Sequence, residues 1–104
     1  MRARDVMTKK RFRAWLRSLN PRKVVGRIWT ESSPLDSYVK ANGFPNAVVY
    51  GNCWESEAGR SLTFFPKWAD MYQTSMLCLA ITHLPAEPGQ IITAKRALQL
   101  LDAA

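Results

Sequence analysis

Thr8-Lys-Lys-Arg-Phe12-Arg-Ala-Trp15-Leu16-Arg17-Ser-Leu19-Asn20-Pro21 is the first periodic stretch of the chain, and Lys23-Val-Val-Gly26-Arg-Ile-Trp29 follows it almost at once. At about 100° per residue, Trp15, Leu16 and Leu19 all fall within about 60° of Phe12, an i, i+3, i+4, i+7 stripe. Thr8 supplies a cap for a helix running to about Leu19. Asn20-Pro21 stops it, because the residue before a proline avoids the α region. The β-branched residues of Lys23–Trp29 suit a short strand, with Gly26 as a bulge or a place of close approach. A helical period giving way to strand composition inside thirty residues points to an α+β domain.

Outward from this pair, Thr30–Ser33 reads as a turn. Ser33-Pro34 carries the chemistry of a helix start and Asn42-Gly43 that of a stop, with Leu35, Tyr38 and Val39 on the apolar face. Ala47–Tyr50 reads as a strand that can extend to Trp54. Glu55–Gly59 is a polar turn and Arg60–Phe65 the returning strand, giving a hairpin over about 47–65. Pro66 opens a third long helix carrying Trp68, Met71, Tyr72 and Leu79. A break near Gln73–Ser75 followed by a strand is the alternative. Pro85–Gly89 is a loop, and Thr93 caps a last helix with Ala94, Ala97, Leu98 and Leu101 on one side. The expected order is α-β-α-β-β-α-α, with a two- or three-stranded, mainly antiparallel sheet against the helices. Residues 8–104 form one domain behind a basic arm, 1–7. Its core is expected to hold Trp15, Leu16, Val48, Phe64, Trp68, Leu79, Leu98 and Leu101.

The charge is concentrated at one end. Residues 1–27 hold ten of the fifteen basic residues and a single acid, Asp5, so that segment carries +9; the other 77 residues carry −2. Such a split points to contact with a polyanion. Arg2, Arg4, Lys9, Lys10, Arg13, Arg17, Arg22 and Lys23 are the candidate contacts. Lys9, Lys10, Arg13 and Arg17 share a flank between about 60° and 160° from Phe12, whereas Arg11 lies on the other side. Nucleic acid held by its phosphates is the leading expectation, an acidic protein partner the next, and a merely solvated face the plainest reading. An Arg-rich presequence or a helix lying on an anionic membrane has similar chemistry. A secretory signal does not fit, since five charges interrupt Met7–Leu19. The longest apolar run, Met76–Ile81, has six residues, far short of the roughly 18 a membrane span needs. An apolar fraction of 47% and a charged fraction of 22% are ordinary for a folded globular chain.

Catalytic and cofactor signatures are missing. His83 is the single histidine, so histidine ligands at metal spacing do not occur. Cys53 and Cys78 form no CxxC, and a reduced pair in the cytoplasm is the expectation. Glu55 and Glu57 read as a solvated turn. Neither GxGxxG nor a P-loop nor GxSxG occurs. The recognition sheet of RNA-binding domains and the GxxG of KH domains are also missing, and no recognition helix follows Leu19. The expectation is a non-enzymatic protein with no cofactor and no metal. The alternative function is a protein–protein adaptor or small inhibitor-like accessory protein that uses exposed aromatics. Trp54, beside a polar turn, and Phe44, after Gly43, are the candidates for such an interface. A homodimer fits either function.

Overall fold

The Thr8 hydroxyl accepts the Arg11 amide at 3.2 Å, and behind this cap runs α2 (Lys9–Ser18). It is preceded by a single turn, α1 (Ala3–Val6). The structure is a computed structural model describing residues 2–27, 33–57, 59, 62–82 and 91–103, with side chains except at 76–82 and 103. Along the chain follow β1 (Val24–Arg27), α3 (Pro34–Ala41), β2 (Val48–Val49), β3 (Cys53–Glu55), β4 (Leu62–Phe64), α4 (Lys67–Thr82), β5 (Ile91–Thr93) and α5 (Ala94–Ala103). The fold is α+β, with two small antiparallel sheets, β1-β5 and β2-β3-β4, packed with the helices.

Phe12 sits at the centre of the core. Its ring lies 5.2 Å from Tyr38, 5.3 Å from Tyr72 and 5.8 Å from Trp68, which joins α2 to α3 and α4. The stripe Phe12, Leu16 is buried, with Trp15 and Leu19 at its margin. Within the segment expected as a basic arm, Val6 and Met7 join this core while Arg2, Arg4 and Asp5 stay exposed. Val6 and Met7 are an apolar pair, both buried. Their carbonyls accept the Tyr38 hydroxyl and the Trp68 indole N–H.

The caps read from sequence are in place. Ser33 Oγ accepts the Asp36 amide at 3.3 Å. At the other end Gly43 takes φ +107°, and the Phe44 amide donates back to the Val39 carbonyl at 3.1 Å, a Schellman-type closure. Thr93 Oγ1 accepts the Arg96 amide. Gly26 adjoins a bulge: the β1–β5 register shifts between Val24 and Gly26, leaving Val25 and Gly26 both buried. The helix from Lys67 runs unbroken to Thr82, so the break at Gln73–Ser75 does not occur.

Three expectations need correction. Ala47–Trp54 is two strands, because the chain reverses at Gly51-Asn52 and the Tyr50 amide meets the Cys53 carbonyl at 2.8 Å. β5 is an additional strand, three residues long and so too short to announce itself by periodicity. Phe64 is 69% exposed and Phe65 9%. Successive side chains of a strand take opposite faces, so only one of the two phenylalanines can face the core, and it is Phe65. Among the other expected core residues, Leu16 and Leu101 are buried, while Trp15, Val48, Trp68 and Leu98 are half-buried. The Leu79 side chain, Ile28–Trp29, Thr30–Ser32, Arg60, His83 and the Pro85–Gly89 loop lie outside the described residues.

Candidate polyanion-binding surface

Contacts at both ends set how α2 and α5 lie. Beyond the end of α2, the Pro21 and Lys23 carbonyls accept the Lys95 and Ala94 amides of α5 at 3.1 and 2.8 Å. From mid-α2, Arg13 reaches Asp102 near the end of α5, with Nη2 and Nε at 3.0 and 3.1 Å from the same carboxylate oxygen. The two helices are therefore antiparallel. On α2, Arg17 lies one turn beyond Arg13. On α5, Lys95 and Asp102 are seven residues apart, about 20° from one another on the helix and roughly 10 Å along it. Arg13–Asp102, Arg17 and Lys95 thus follow one another along the α2–α5 seam. At its open end Arg22 and Lys23 stand beside the first turn of α5, which carries Lys95 and Arg96.

Most of the candidate cations face solvent. Arg2, Arg4, Lys10, Arg17, Arg22 and Lys23 are exposed. Lys9 is half-buried, as its place nearest the apolar stripe implies. Arg2 lies 3.4 Å from Asp5, and Arg13 is held by Asp102, so these two charges are partly compensated. Arg11 takes the far flank, where its charge is felt by the Tyr38 hydroxyl.

Lys95 and Arg96 are the members that sequence reading missed. Nothing local marks them: they reach Arg22 and Lys23 only because β5 pairs with β1. The same pairing rules out an anion cradle at the α5 N-terminus. Its first amides already have partners in Pro21, Lys23 and the Thr93 hydroxyl, so phosphate contact here falls to side chains.

Of the two aromatic interface candidates, Trp54 lies in the core and Phe44 is half-buried against it. Trp54 is fully buried, with Phe44 edge-on to it at 5.1 Å between ring centroids. The closure after Gly43 is what turns Phe44 inward. Cys53 is buried and unbridged, and the Cys78 side chain lies outside the described residues. Among the described residues no three of His, Cys, Asp and Glu come together as metal ligands, and no helix is long and apolar enough to cross a membrane. Comparison with family models, with curated proteins and with solved structures finds no match to this chain.

Proposed function

We propose that this chain is a small, non-enzymatic, cytoplasmic protein that holds nucleic acid by its phosphates along the α2–α5 seam. The observation that supports this best is the antiparallel pairing that sets Arg17, Arg22 and Lys23 of the +9 segment beside Lys95 and Arg96. Arg2, Arg4, Lys9 and Lys10 extend the positive field toward the start of α2. Side chains of this kind contact phosphates and carry little base information, so weak sequence preference goes with the reading.

The test is a salt titration of binding to fluorescent duplex and single-stranded oligonucleotides. With about four to six phosphates touched, log K should fall against log salt with a slope near −4 to −5 on duplex. Replacing Arg17 and Lys95 together by Ala should make the slope shallower by about two, with the fold unchanged because both side chains lie off the packed faces. A flat titration for both oligonucleotides near 50 mM salt would end this reading.

A further inference from the structure

The register of the second sheet sorts its side chains into rows. Val48 pairs with Glu55 and Glu55 with Leu62, while Tyr50 meets Cys53 and Cys53 pairs with Phe64. These six share one face, opposite the Val49–Trp54–Thr63 row that meets the core. On that outer face Phe64 is 69%, Leu62 49% and Tyr50 45% exposed. β4 is also the outer strand of its sheet. Because the Phe65 amide donates inward to the Asn52 carbonyl, strand alternation turns the Leu62 and Phe64 amides and carbonyls away from β3. Among the described residues no strand pairs with them. An edge strand carrying apolar side chains and open backbone groups is a template for another strand.

We propose that this edge pairs with β4 of a second copy, antiparallel about a two-fold axis at Thr63. In that register Leu62 lies opposite Phe64 of the second copy on both sides of the axis. All four outward backbone donors and acceptors per strand then find partners. Each Leu62 meets a Phe64 side chain across the strands, the apolar–aromatic pair that stabilises antiparallel ladders. The arrangement is isologous, so it closes at two copies and leaves no edge for a third.

Charge selects this occupant over nucleic acid. Glu55 lies on the same face and Glu57 on the adjoining turn, which disfavours phosphates. The +9 segments sit on α1, α2 and β1 and need not face one another. Phe64, Leu62 and Tyr50 together leave roughly 300 Å² of side-chain surface per copy, taking about 200 Å² for a large side chain. A standard interface has about 800 Å² per partner. The dimer is accordingly weak and reversible.

Sedimentation velocity from about 10 µM to about 1 mM tests it, a range suited to an interface of this size. The weight-average mass of the wild type should climb from 11.8 kDa toward twice that value. Phe64→Lys and Leu62→Lys, both at exposed positions, should keep a native circular dichroism spectrum and stay at the monomer mass. Thr63→Cys should yield on mild oxidation a dimer whose cross-linked peptide joins residue 63 to residue 63. A wild type that stays monomeric throughout overturns the proposal. So does a dimer that both lysine variants leave intact. A monomeric wild type whose oligonucleotide binding is weakened by Phe64→Ala shows the face meeting bases, and also overturns it.

Discussion

The Tyr72 hydroxyl donates to the Ala97 carbonyl at 2.8 Å from within the core. Burial pushes its phenol far above the usual value of 10.0. Burial also raises Tyr38, against a smaller opposing effect of Arg11. The native state thus keeps protons that the unfolded chain gives up near pH 10. Their contribution to stability is complete below that pH and is lost as pH rises above it. The urea midpoint should therefore fall above about pH 10. Tyr72→Phe should cost about 1 kcal/mol at neutral pH, since the Ala97 carbonyl keeps its place in the helix ladder. It should also blunt the alkaline fall; a fall as steep as that of the wild type would show that Tyr72 is not its source. Trp54 shows where single residues were not legible. Its neighbours in sequence, Cys53 and Glu55, suggested exposure beside a polar turn. The Glu55 carboxylate instead accepts the Tyr50 hydroxyl and the Gly59 amide, so the turn folds on its own acid. The indole is left facing the core, where its N–H meets no partner among the described residues.

Elements with caps were the most legible. α3 is bounded by Ser33-Pro34 and Asn42-Gly43, and each of these residues does chemistry visible from its type: a hydroxyl acceptor, a preset φ, a side-chain amide that donates to the Tyr38 carbonyl, and a glycine at φ +107°. Ser33→Ala should lower stability by about 1 kcal/mol, or roughly 4–8 °C in melting temperature for a chain of this size. Gly43→Ala should cost a similar amount through the positive φ alone, since a Cβ there meets nothing within 4 Å. Calorimetry on the two single variants checks both, and unchanged melting in each would mean that the caps contribute nothing to α3. Strands were harder to read. β2, β3, β4 and β5 are two or three residues long, so alternation has no length over which to show. The Phe64-Phe65 pair leaves its own direction undecided until β3 is placed beside it. The bulge at Gly26 was legible because a glycine within β-branched residues has few other uses.

At the scale of the whole molecule, the charge asymmetry was legible but its pairing was not. Arg13 looked free on the helical wheel, yet the α2–α5 packing sets Asp102 against it, 89 residues later in the chain. The pair is partly exposed, the Arg13 and Asp102 side chains at 31% and 49%, so breaking it should change stability by less than about 1 kcal/mol. Its larger effect is on the field along the seam. Asp102 is the acid that interrupts the strip formed by Arg13, Arg17 and Lys95, and it occupies a guanidinium that otherwise points at solvent. Asp102→Asn should therefore release Arg13 for a phosphate, tighten oligonucleotide binding and steepen the salt slope by about one. In the wild type, Arg13→Ala should change the slope little. In the Asp102→Asn background the same substitution should remove the whole gain, a coupling that a double-mutant cycle reads directly. Glu57→Gln adds the same net charge just past β3, on neither helix of the seam. Equal gains from Asp102→Asn and Glu57→Gln would mean that only net charge matters, and that α2 and α5 do not hold the bound strand along their seam.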